Sequence, residues 1–91
     1  MTDLYRFELS DQLKKVLKKL IKKDKIKYEA TLKKIEQVCQ NPQHYKNLQH
    51  GMKEFKRVHI DTSFVLVFKV DELAKKICFE ELEHHDVIYE R

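Results

Sequence analysis

The chain has 91 residues, 37% of them charged and 42% hydrophobic, with 19 lysines and arginines against 15 acids and a net charge of +4. That length fits a single domain spanning residues 1–91 with a small core, and the composition is globular rather than disordered. No apolar run approaches the ~20 residues of a membrane span, so no membrane partner is expected.

Residues 1–10 lack the apolar centre of a signal peptide. Cys39 and Cys78 are the two cysteines and lack CxxC spacing, which argues against a disulfide framework or a zinc ribbon. They read as buried thiols in a reducing cytoplasm. One Gly and one Pro exclude glycine-rich phosphate loops, repeats and linkers. The charge is uneven: residues 1–45 hold 11 bases and 6 acids, residues 46–91 hold 8 and 9. A lysine-dense half suggests a polyanionic partner, although many such runs are solvated helix faces.

Leu4 to Leu9 alternates aromatic or apolar with polar residues and predicts a short strand or arm. Ser10 stands where a helix N-cap is wanted, with Asp11 in the first turn. Leu13, Val16, Leu17, Leu20 and Ile21 then form one apolar stripe at helical spacing, and Lys14, Lys15, Lys18, Lys19, Lys22 and Lys23 cover the rest of the surface. Asp24-Lys25 predicts a tight connection. A second helix runs to about Gln40, with Tyr28, Leu32, Ile35 and Cys39 on one face and Val38 beside it, stopped by Asn41-Pro42. Two helices so joined form an antiparallel hairpin.

Residues 42–52 are polar and read as a loop. From Phe55 the period becomes two, with Val58 and Ile60 on one face and Phe55, Arg57 and His59 on the other. Phe64 to Val70 is apolar throughout, the pattern of a central strand buried on both faces. Asp61-Thr62-Ser63 and Asp71 to Lys75 are short enough for hairpins, and Lys76 to Leu82 is the returning strand. The segment His84-His85-Asp86-Val87-Ile88-Tyr89 follows. The expected architecture is α+β: a short first strand and a helical hairpin packed on a small antiparallel sheet of three or four strands.

Of the five histidines, His44, His50, His59, His84 and His85, four lie in residues 46–91 and His44 stands just before them. Histidine alone titrates near neutrality without help, so it can both accept and donate protons there. Metal binding is a weaker reading, because adjacent His84 and His85 point apart on an extended chain and no HExxH helix is present. Glu80, Glu81 and Glu83 could supply paired carboxylates, but an acidic strand is more often solvated surface. Metal-free RNA cleavage needs a base for the ribose 2′-OH, an acid for the leaving 5′-oxygen and cations for the phosphate. His85 and His59 can supply the first two, Lys53 and Arg57 the third. Tyr89 could stack on a base or bond the phosphate. No cofactor is called for.

The order of these features resembles the RelE/ParE-like toxin superfamily over nearly the whole chain. The residues carrying the likeness are Tyr45 to Gly51, Lys56-Arg57-Val58-His59-Ile60-Asp61, Phe64 to Asp71, and His84 to Tyr89. The resemblance implies a toxin of a type II toxin–antitoxin module that cuts mRNA in the ribosomal A site and is neutralised by a RelB/DinJ-like antitoxin. The histidine-using YafQ branch is the better match: its His before the central strand corresponds to His59, its C-terminal His to His85, its following aromatic to Tyr89 and its Trp to Phe64. Its Asp before that Trp is Ser63 here, and the central-strand Arg of RelE is Val65. His85, His59, Arg57, Lys53 and Tyr89 are therefore the expected catalytic residues. Lys14, Lys15, Lys18, Lys19, Lys22, Lys56 and Phe64 are the expected RNA contacts. A ParE-like inhibitor of DNA gyrase and a decayed RNA- or protein-binding module are the alternatives.

Overall fold

The computed structural model describes residues 5–48 and 54–89, Tyr89 by its backbone alone. Strand β1 (Arg6–Leu9) leads into helix α1 (Asp11–Lys23) and helix α2 (Lys25–Gln40). A 3-10 turn (Pro42–His44) precedes strands β2 (Phe55–His59), β3 (Phe64–Asp71) and β4 (Lys76–His84), and a five-residue helix α3 (His85–Tyr89) closes the described chain. Leu4 lies outside the described residues.

The helix ends follow local chemistry. Ser10 is extended, its Oγ accepts a hydrogen bond from the Leu13 N–H at 3.0 Å and donates to the Glu80 carbonyl at 2.6 Å. This caps α1 and ties it to β4. Asp11 in the first turn and Lys22 and Lys23 in the last complement the helix dipole. Asp24 serves both helices. Its backbone N–H closes α1 on Leu20 O at 2.8 Å, and its carboxylate accepts from Lys27 N at 3.0 Å to open α2. One residue therefore makes the reversal of the hairpin.

The sheet runs β1-β4-β3-β2. Strands β2, β3 and β4 form the expected antiparallel meander, while β1 joins β4 in parallel, Arg6 opposite Lys76 and Leu9 opposite Phe79. The sheet is thus mixed, since the two-helix connection returns the chain along β1 rather than against it. Asp71 Oδ1 accepts from Ala74 N at 3.1 Å in the β3–β4 turn, where Lys75 takes the left-handed conformation at φ 51°.

The helices cover one face of the sheet. Leu13 and Leu17 of α1 and Ile35, Val38 and Cys39 of α2 pack on Val58, Leu66, Phe68, Ile77, Phe79 and Leu82. Burying these side chains is the main driving force for folding. The helical stripe differs from expectation at one place: Thr31 is fully buried with its hydroxyl bonded to Lys27 O, while Leu32 is 41% exposed. A rotation of α2 by part of a turn accounts for this, because the Thr hydroxyl can be satisfied by its own helix. The opposite face of the sheet is mostly open. Val65 and Val67 there are covered by Leu48 and Ile88, with Phe55 alongside. Central strand β3 is consequently buried on both sides, as its apolar run predicts.

Candidate active site

Strand parity places the functional groups. Arg57 pairs with Val67 and His59 with Val65 across β2 and β3. The same two valines pair with Glu81 and Glu83 of β4. Directly opposed residues share a face. The open face therefore carries two rows, Arg57–Val67–Glu81 and His59–Val65–Glu83, on an apolar floor. A register shift between Val67 and Phe68 gives β4 an extra residue, which leaves Phe79 and Leu82 on the helical face and turns Glu81 and Glu83 to the open one.

His85 begins α3 at the end of this face. Its backbone N–H donates to the Ser63 carbonyl at 2.6 Å, which pins the start of α3 to the β2–β3 turn. That turn is itself held by Asp61, whose Oδ1 accepts from the N–H groups of Ser63 and Phe64, each at 2.8 Å. The backbone bonds and nearby Lys27 keep the Asp61 carboxyl below its ordinary proton affinity. The result brings the two expected histidines together: the His59 and His85 rings lie 6.0 Å apart, centroid to centroid. Desolvation, then the positive charge of Arg57, then His85, lower the His59 pKa from its ordinary value. His59 is thus held in its neutral, proton-accepting form around pH 7. His85 Nδ1 lies 3.2 Å from Asp86 Oδ1. An Asp in this position can hold the Nδ1 proton and turn Nε2 outward.

The other expected residues are distributed differently. Lys53 lies outside the described residues, as does His50, and Tyr89 is placed only by its backbone at the end of α3. Phe64 has the opposite parity to Val65 and packs with the helical-face core. The Lys27 ammonium stands 3.6 Å above its ring, and His84 meets it edge-on at 5.6 Å. Phe64 and His84 are therefore not part of the His59–His85 grouping. Lys56 is also turned away, its ammonium 3.0 Å from both Tyr45 O and Asn47 Oδ1. Lys14, Lys15, Lys18, Lys19 and Lys22 are all exposed on α1, across the sheet from the histidines. Sequence alone offers Glu81 and Glu83 as paired carboxylates but favours solvated surface for them, and gives Asp86 no separate role. The i, i+2 spacing of Glu81 and Glu83 is the signal, but the bulge that sets their face has no sequence mark of its own. Among the described residues no group of three or more His, Cys, Asp or Glu is arranged to hold a metal.

No protein-family profile matches the chain. It is 54% identical over 88 residues to the protein named "Putative toxin RelE4" of Methanocaldococcus jannaschii, covering 97% of this chain and 94% of that one. The toxin–antitoxin complex RelBE2 from Mycobacterium tuberculosis shares its fold with a TM-score of 0.74 at 13% identity, over 91% of this chain and 100% of that one. YafQ from E. coli does so with a TM-score of 0.65 at 19% identity, over 93% and 98%. A four-stranded mixed sheet with a short first strand and a hairpin of helices on one face is thus the fold of the RelE-like toxins. At its level of identity to an archaeal RelE protein, the chain belongs to the RelE family of toxin–antitoxin systems.

Proposed function

We propose that the protein is a ribosome-dependent endoribonuclease of the histidine-using kind, cleaving mRNA in the A site. The observation that carries this reading is the convergence of His59 and His85 at 6.0 Å on the open face, with Arg57 in the adjacent row. Neutral His59 takes the proton of the ribose 2′-OH. The oxygen attacks the adjacent phosphorus, and His85 gives a proton to the departing 5′-oxygen. The products are a 2′,3′-cyclic phosphate and a free 5′-OH. Arg57 stabilises the charge that builds on the phosphate oxygens, a role suited to its fork of donors. Lys53 and Tyr89 complete the set as phosphate ligand and nucleotide-positioning group. The lowered pKa of His59 supports the division of roles between base and acid.

The lysines of α1 face away from this site, which supports a docking role on ribosomal RNA rather than a role in the chemical step. The antitoxin has a separate candidate seat. Phe7 is 51% exposed, and with Tyr5, Leu9, Leu32, Ile35 and Cys39 it lines an apolar trough between β1 and α2. The trough continues past Leu17 and Ile21 to Lys14 and Lys18. An apolar trough with a lysine rim suits an acidic amphipathic segment. Action on ribosomes would place the protein in the cytoplasm.

The test is translation-coupled cleavage with His59→Gln, His85→Gln and His84→Gln. Loss of cutting of about 100-fold or more is expected for the first two, the scale of a general acid or base, with near wild-type cutting for the third. Unchanged cutting by His85→Gln removes it from the chemistry. Inhibition of gyrase supercoiling without mRNA cleavage would favour the ParE-like alternative.

A further inference from the structure

Two carboxylates on a face that is to receive a phosphate need a reason. Glu81 shares a row with Arg57, separated by one residue, Val67, which is 1% exposed and packs in a small cluster with Leu48 and Ile88. Two strand spacings put their backbones about 10 Å apart. An extended arginine and a glutamate span that gap together. Both side chains are half-buried, and neither is free in the structure. Glu83 stands in the next row, opposite His59 rather than Arg57.

We propose that Glu81 is a built-in competitor for the Arg57 guanidinium, occupying it in the unbound protein and giving it up to a backbone phosphate of the RNA. The inference rests on the reading of Arg57 as a phosphate ligand. Its physical basis is that guanidinium binds carboxylate and phosphate by the same paired N–H donors. An anion must therefore displace Glu81 before it gains Arg57. The displaced carboxylate then lies near the phosphate and repels it. The site consequently holds loose, unaligned RNA poorly, and an anion presented in register by a larger partner wins the exchange.

The experiment measures binding of a 2′-deoxy trinucleotide, which keeps the phosphates and lacks the nucleophile. The readout is the imidazole NMR signals of His59 and His85 at low salt. Glu81→Gln keeps the shape and removes the charge. It is expected to tighten binding roughly two- to fivefold, the worth of one partly exposed ion pair. The gain should shrink in an Arg57→Gln background, where only the direct repulsion of the phosphate remains, and Glu29→Gln on the exposed face of α2, with the same change in net charge, should show none. Equal gains for Glu81→Gln with and without Arg57, equal gains for Glu29→Gln, or no gain at all would overturn the proposal. If the trinucleotide moves neither histidine signal in any variant, the open face is not the phosphate site, and the parent reading fails along with this one. An unchanged melting temperature of Glu81→Gln confirms that the comparison is between folded proteins.

Discussion

Helix α3 has five residues, too short to be helical without tertiary support. Among its described side chains, Ile88 supplies the buried contact, 4% exposed against Val65, Val67 and Leu48. Ile88→Ala removes that contact. A buried Ile→Ala change costs about 2–5 kcal/mol, and the low end applies here because α3 sits at the edge of the sheet and can move to close the gap. A loss of about 2.7 kcal/mol makes docked α3 some hundredfold less favoured relative to undocked α3. The expectation is local release rather than global unfolding. Hydrogen exchange should show lost protection at residues 85–89, including the His85 N–H that donates to Ser63. The melting temperature should fall by only a few degrees, since a local opening caps the global cost at the docking energy of α3. Leu66→Ala, at a fully buried position in the main core, serves as the comparison. At about 3 kcal/mol it should lower the melting temperature by roughly 12–24 °C. Cleavage should fall with the docked fraction of Ile88→Ala while the main core stays intact. If Ile88→Ala melts as early as Leu66→Ala while the His85 amide keeps its protection below the transition, α3 is not a separable unit and the reasoning is wrong.

Four further outcomes are expected. Ser10→Ala loses both the cap of α1 and the bond to Glu80 O, and should cost about 1–2 kcal/mol, read as a lower urea midpoint with unchanged slope. The lowered pKa of His59 means that the unfolded chain binds its proton more readily than the folded one. Stability from this group is therefore complete above about pH 6.5 and drains as pH falls through the folded value; Asp61 repeats the pattern below about pH 3.8. Arg57→Gln should bring the His59 titration, followed by NMR, back toward its ordinary value, and no upward movement would refute the assigned cause. Neutralising Lys14, Lys15, Lys18, Lys19 and Lys22 together should flatten the salt dependence of ribosome binding and leave single-turnover cleavage of bound mRNA nearly unchanged.

The elements were legible wherever one residue pattern met one environment. Leu13 and Leu17 mark the buried face of α1, and the unbroken apolar run of β3 reports burial on two sides. Ser10 and Asp24 announce helix ends through chemistry that acts within four residues. Residue chemistry and the resemblance both pick out His59 and His85, but no local pattern places them together, since 25 intervening residues and two turns do so. What depends on rotation or register was not legible. Thr31 replaces Leu32 in the core because of how α2 is turned. The direction of β1 depends on which neighbour it finds, and the bulge that turns Glu81 to the face of Arg57 leaves no mark in a one-dimensional pattern. Phe64 shows the limit of a motif: its position in the chain suits an RNA contact, yet its parity sends the ring under Lys27.

The parallel union of β1 with β4 bears on the order in which the molecule is completed. Arg6 meets its partner Lys76 across 70 positions of chain. That closure is entropically late, so the helical hairpin can form well before the sheet is whole. Strand β4 is at once the partner of β1, the partner of β3 and the strand that ends at His84, one residue before the His85 ring. A chain stopped short of β4 would have a pair of helices, an unfilled interior and no opposed histidines. Completion of the sheet and the meeting of the two histidines are then one event.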